Sequence, residues 1–204
     1  DEYLLEERIR CFTGGHEALA KLATGAALPD HDKNRARLPP IVEHLSFVQH
    51  LRLHELQIGG KTSQQLEDLL QERGITPEQD ALFMMRQPEF ITLSEPKSLL
   101  LAHVSVGDLF QDKEDHPLPE VYARAKELGL GPCPAEVGPY LRLALTDQPL
   151  MEWFDVATEP LPATQLCTGI FCLGRTADKV WLGTEQGLAM NQDSGSEFVF
   201  EVLF

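Results

Sequence analysis

The chain has 204 residues, 43% of them hydrophobic and 24% charged, with a formal net charge of −15. That composition suits a globular protein able to bury a core, and no apolar run reaches the roughly 18 residues that a membrane-spanning helix needs. The acidity argues against a general binder of the phosphate backbone, whose affinity comes from Lys and Arg displacing counterions.

Leu4, Leu5, Ile9, Cys11 and Phe12 open what reads as a helical N-terminal part, and His16 to Leu22 continues it after Gly14-Gly15. Residues 25–40 are polar and bounded by prolines, the pattern of a loop. From Ile41 to Ile58, Leu45, Val48, Leu51, Leu56 and Ile58 recur at roughly helical spacing. Thr62 or Ser63 caps a predicted helix carrying Leu66, Leu69 and Leu70, which Gly74 stops. Thr76-Pro77-Glu78-Gln79 predicts another start, with a cap, a proline in the first turn and Gln three residues after the cap.

Ile91 to Phe110 reads equally as a strand or as short helical pieces. Pro117 to Leu128 predicts a helix with Leu118, Val121, Tyr122, Ala125 and Leu128 on one face and Gly129 as its stop. After Gly138 the period changes to two. Strands are predicted near Tyr140–Leu145, Met151–Thr158, Thr168–Leu173, Lys179–Leu182 and Glu197–Leu203, with turn residues between them. The last four residues, Glu201-Val202-Leu203-Phe204, continue that pattern and also resemble part of a protease-recognition sequence. Helices first and consecutive strands later predict an α+β fold: a helical part over residues 1–100, then a module over 101–204 with an antiparallel sheet of four to five strands.

Charge is distributed unevenly. Residues 103–204 hold 16 acids against 6 Lys and Arg, whereas residues 1–102 hold 16 against 11. An acidic C-terminal face suits a protein partner, a basic one included, and equally serves as a solvated surface that aids solubility. Cys11, Cys133, Cys167 and Cys172 contain no C-x-x-C pair. Cys167 and Cys172 sit five apart in a predicted strand and so point to opposite faces. Free, mostly buried thiols of a cytoplasmic protein are expected.

Few motifs carry chemistry. Gly59-Gly60-Lys61-Thr62 resembles the end of a phosphate-binding loop, but the full pattern needs glycine where Glu55 stands. A turn followed by a helix cap explains the same residues. His50 and His54 are four apart, as paired ligands on a helix would be, with His44 nearby. No H-E-x-x-H signature accompanies them, and a histidine-bearing helix face with no metal is the expectation. Cys133, between Pro132 and Pro134, would react only if Pro134 opened a new helical turn. No cofactor is expected.

The stretch from Val121 to Trp153 contains YARAKELGLGPCPAEVGPYLRL and DQPLMEW, and Phe198-Val199-Phe200 follows near the end. This pattern resembles a group of small bacterial proteins of unknown function that share a CPAEVGPxLRL…DQPxxEW core and a C-terminal FVF strand. The resemblance spans roughly Ser105 to Phe200 and implies a bacterial, cytoplasmic, compact module without supplying a reaction.

Within that core, Glu136, Arg142, Asp147, Gln148, Glu152 and Trp153 are the candidate binding residues. If Tyr140–Leu145 and Met151–Thr158 form a hairpin, Arg142 faces a carboxylate across the ladder. In a cleft, Arg142 would bind an anionic or peptide carboxylate while Glu136 or Glu152 acts as acid or base. As scaffold, Glu136 is a first-turn carboxylate, Asp147 a turn former, and Arg142 with Glu152 a surface pair worth under about 1 kcal/mol. The leading functional expectation is a non-catalytic protein-interaction module with an acidic C-terminal face. A small hydrolase or transferase built on Glu136, Arg142 and Glu152 is the alternative.

Overall fold

The computed structural model describes residues 9–13, 45, 48, 50–164, 167–186 and 191–203. Among them, strands dominate: β1 (Ile9–Thr13), β2 (Arg52–Ile58), β3 (Lys97–Ser105), β4 (His116–Pro117), β5 (Leu130–Gly131), β6 (Trp153–Val156), β7 (Cys167–Arg175), β8 (Val180–Gln186), β9 (Asn191–Gln192) and β10 (Glu197–Val202). The helices are α1 (Ser63–Glu72), α2 (Gln79–Met85), α3 (Val106–Phe110), α4 (Leu118–Glu127) and α5 (Val137–Ala144).

One eight-stranded sheet runs β1-β2-β3-β10-β6-β7-β8, with β5 also pairing β10, and β4-β9 form a separate ladder. Its pairings are antiparallel except β10 with β6. This corrects the expected α+β plan of a helical N-terminal part beside a small antiparallel sheet. Ile9–Thr13 and Arg52–Ile58 are strands of the large sheet, and the described helices lie between Ser63 and Ala144. Residues 14–44, on which the second predicted helix and the loop fall, lie outside the described residues.

Burial on both faces explains the misreading. Leu56, Leu99, Leu101, Phe154, Phe171 and Val199 face one core with Leu66, Leu70, Met84, Val137 and Leu141 from α1, α2 and α5. Leu53, Ala102, Val104, Phe198 and Phe200 face a second core with Leu109, Val121 and Ala125 from α3 and α4. A strand covered on both sides reads as a continuous apolar run, and Leu99 to Ala102 of β3 shows that run without a period-two signature.

Helix α5 replaces the predicted strand Tyr140–Leu145, so the Tyr140–Leu145 hairpin does not form. Pro139 is tolerated because it stands in the first turn, where its missing N–H has no intrahelical acceptor to lose. Every residue from Val137 to Leu143 is buried, so no polar stripe betrays the helix. Strand β6 instead pairs β7, with Trp153 opposite Gly174 and Phe154 opposite Leu173.

Two other local expectations are met. Thr62 caps α1 in a full capping box with Gln65, and Gly74 follows at φ 71°. The predicted face of α4 is buried at Val121, Ala125 and Leu128, and Gly129 stands beyond it at φ 77°. Helix α2 starts later than predicted: its cap is Glu78, without a side-chain capping bond, not Thr76.

Candidate functional site

The six predicted residues separate into two buried anchors, a loop and an exposed edge. Glu136 is 0% exposed at the start of α5, where its Oε1 accepts from the Leu93 amide at 3.0 Å. Burial raises its pKa, partly offset by the Leu93 and Gly59 amides. Arg142 is also 0% exposed. Its Nη1 donates to Gln148 Oε1 at 2.7 Å, and its Nη2 donates to the Leu145 carbonyl that ends the helix. Burial, then the neighbouring Arg175, lowers its pKa to about 10.

Gln148 is buried and passes the connection on, its Nε2 donating to the Glu152 carbonyl at 3.1 Å. Arg142 and Gln148 therefore hold the loop from Leu145 to Glu152 against β7. Asp147 is exposed in that loop. No hydrogen bond or ion pair joins Glu136, Arg142 and the Glu152 carboxylate, so the expected surface pair between Arg142 and Glu152 does not form.

Glu152 belongs to a different constellation. Its carboxylate pairs with Arg52 Nη1, while Arg52 Nη2 lies 2.7 Å from Glu197 Oε2. His103 Nε2 stands 2.7 Å from the same Glu197 oxygen and 2.9 Å from Arg52 Nη2. Register creates the grouping: Arg52 on β2 is opposite His103 on β3, and Glu197 opens β10 opposite Ser105. The His103 Nδ1 is buried without a partner among the described residues. A buried bare acceptor costs less than an orphaned N–H, which places the ring proton on Nε2, donated to Glu197.

Electrostatics fix the charge states. Burial pushes His103 down, with Glu197 opposing and Arg52 assisting. Burial would raise Glu197, but bonds from His103 and Arg52 outweigh it and leave its pKa below the ordinary value. His54, whose ring centre is 5.9 Å from that of His103, is held at about 3 by burial, His103 and Arg52. One guanidinium thus meets two carboxylates beside neutral imidazoles, leaving one excess negative charge.

The cleft at this cluster, lined by His50, Arg52, His103, Ser105, Asp108 and Glu197 among others, is about 80 Å³. That holds about two or three waters, too little for an organic substrate. A second, apolar groove of about 290 Å³ lies between Tyr122 and Lys126 of α4, Pro132, Phe200 and Leu203. Neither is lined by Glu136 or Arg142.

The remaining motifs resolve as structure. His54 is on a strand, not a helix, and among the described residues no group of three His, Cys, Asp or Glu side chains is placed to hold a metal. Gly59 and Gly60 turn at φ 88° and 74° into the Thr62 cap, but β2, a strand where a helix was predicted, feeds this turn. Cys133 is buried with Sγ against the Val199 carbonyl, and burial raises its thiol pKa, so the reactive-thiol reading is not supported. No described helix is long and apolar enough to cross a membrane.

The exposed edge was only half visible in the sequence. Trp153 was singled out, but its neighbours Leu150 and Met151 are equally exposed, at 60% and 62% against 60%. The Arg52–His103–Glu197 cluster was missed because its residues lie up to 145 positions apart, and only sheet register unites them. Compared with protein-family models, curated proteins and solved structures, the chain matches none of them.

Proposed function

We propose that this chain is a non-catalytic protein-interaction module of the bacterial cytoplasm. One observation carries the reading: Leu150, Met151 and Trp153 present three bulky apolar side chains to solvent on one short segment. Large apolar groups grouped at a surface mark association sites, and tryptophan is enriched among residues that dominate binding energy. The segment is held firmly, with Met151 N donating to Arg175 O and Arg175 N to Glu152 O. A partner would therefore lose little freedom in ordering it.

Charge supports the same reading. Asp112, Glu114, Asp115, Glu120 and Glu127 are exposed along α4 and the turn before it, which suits a basic partner and predicts salt-sensitive association. The smallness of the polar cleft and the separate burial of Glu136 and Arg142 favour binding over catalysis. The test is a pull-down from lysate at low and high salt, comparing the natural chain with a variant carrying Leu150→Ser, Met151→Ser and Trp153→Ser. One stoichiometric partner, released by salt and lost with the variant, is the expected result. Equal capture by the variant, or no partner, overturns the reading.

A further inference from the structure

The chain contains two tryptophans, and the sheet brings them together. Trp153 of β6 is opposite Gly174 of β7, and Gly174 is opposite Trp181 of β8. Directly paired residues project to the same side of a sheet. The two indoles therefore flank one glycine on one face.

That glycine is a requirement of the arrangement. A Cβ on Gly174 would collide with the Trp181 ring at Cζ2, Cε2 and Nε1. On its other side, the same indole brings Cζ3 to 3.1 Å from the Cβ position of Gly183. The Trp181 ring thus spans two side-chain-free positions and lies across the strands as a platform, with the exposed Trp153 beside it.

A carboxylate borders the platform. The Glu78 amide donates to the Leu182 carbonyl at 2.9 Å, which pins the start of α2 to the β8 edge. Its Oε2 stands 2.6 Å from the same Gly183 Cβ position that Trp181 Cζ3 approaches. Glu78 is exposed, and its carboxylate makes neither a capping bond nor any ion pair among the described residues. A tryptophan face attracts a cation through its quadrupole, and an unpaired carboxylate at its rim adds a fixed countercharge. A guanidinium satisfies both demands at once, since it stacks flat on an indole and keeps its edge donors free for a carboxylate. A net charge of −15 further favours a basic visitor over an anionic one.

From this geometry we infer that Trp181, Trp153 and Glu78 form a receptor for an arginine side chain of the protein partner. The inference rests on the interaction reading above and names the chemistry recognised at that surface. A basic segment places one guanidinium over Trp181 against Glu78, while its flanking residues meet Trp153, Met151 and Leu150.

Both tryptophans belong to the site, so intrinsic fluorescence reports on it directly. The experiment titrates the full chain with a blocked Gly-Arg repeat peptide and with the same peptide carrying citrulline, which keeps the shape of arginine without its charge. A saturable fluorescence change with the arginine peptide is expected, weakened about fivefold or more by citrulline and about fivefold by Glu78→Gln. Glu78→Gln alters an exposed side chain, so its far-ultraviolet circular dichroism should match the natural chain, and Trp181→Leu should remove the signal while Tm is monitored. Equal binding of the citrulline peptide, or undiminished binding by Glu78→Gln, overturns the site. Absence of any peptide effect while the natural chain still captures a salt-released partner overturns this site alone and leaves the interaction reading intact. A specific peptide effect with no captured partner supports the site and removes that reading.

Discussion

Arg52 Nη2 lies 2.7 Å from Glu197 Oε2, so one guanidinium joins β2 to the start of β10, two strands with β3 between them. Its other nitrogen holds Glu152, in the loop that enters β6. Replacing Arg52 by Met leaves two partly buried carboxylates facing each other without a countercharge. The loss should exceed that of an exposed pair and fall short of a fully buried one, at about 2 kcal/mol. Urea unfolding checks this. Adding Glu197→Gln should recover part of the loss, because it removes one of the stranded charges; a strictly additive double variant would show that the groups do not interact.

The same cluster sets an acid limit on stability. His54 and His103 have folded-state pKa values below the ordinary 6.5, His54 at about 3, so the unfolded chain binds more protons below neutrality. Their contribution is fully present above pH 6.5 and declines as pH falls, for His54 down to about 3. Glu197, also depressed, adds its own loss as pH drops below 4.5. Each excess proton bound by the unfolded chain tilts stability by about 1.4 kcal/mol per pH unit. Urea unfolding between about pH 6 and 5 should therefore show a positive slope of stability with pH, and His103→Gln should make that slope shallower. An unchanged slope would mean that His103 is not held neutral.

Much of the local punctuation was legible in the sequence, whereas the assembly was not. The Thr62 cap, the stop at Gly129 and the strand Glu197–Val202 follow from short-range rules about donors, left-handed glycine and side-chain alternation. The failures share one cause. Val137 to Leu143 is buried throughout, and on β2 both Leu53 and His54, on opposite faces, are buried, which blurs the contrast between polar and apolar positions from which period is read. Arg142 looked like a cleft residue because charged side chains are rarely fully buried. It is buried because α5 ends at Leu145 and the last carbonyls of a helix need donors, which the guanidinium supplies. Trp153 stood out through its residue type, but Trp181 and Glu78 join it only through strand register and the tether of α2.

Arg142 and Glu152 should separate cleanly on truncation. Arg142→Ala removes the donor to the Leu145 carbonyl and leaves the buried Gln148 Oε1 without its donor, so the loop from Leu145 to Glu152 loses its tie to α5. A loss of about 3 kcal/mol is expected, and Arg142→Lys should recover little, since one ammonium cannot reproduce the fork. Glu152→Ala removes only one of two carboxylates around Arg52, and about 1 kcal/mol or less should follow. Thermal unfolding of the three variants measures the difference. Similar small losses for both truncations would remove the anchoring role assigned to Arg142.

Helix α5 meets the sheet at Gly138, where a Cβ would stand 2.7 Å from the Phe171 ring. Two effects of Gly138→Ala oppose each other. Alanine is the better helix former by about 1 kcal/mol, whereas forcing a methyl group into a filled interface costs typically about 1–3 kcal/mol. Phe171 is fully buried and meets Phe90 edge-on with ring centres 6.0 Å apart, so it has little room to retreat. The clash should win, and Gly138→Ala should lower stability by about 1–2 kcal/mol despite its helical preference. Adding Phe171→Leu supplies the missing space and should make the alanine neutral or favourable relative to that background. If Gly138→Ala alone stabilises the protein in urea unfolding, α5 stands farther from β7 than the contact at Phe171 requires.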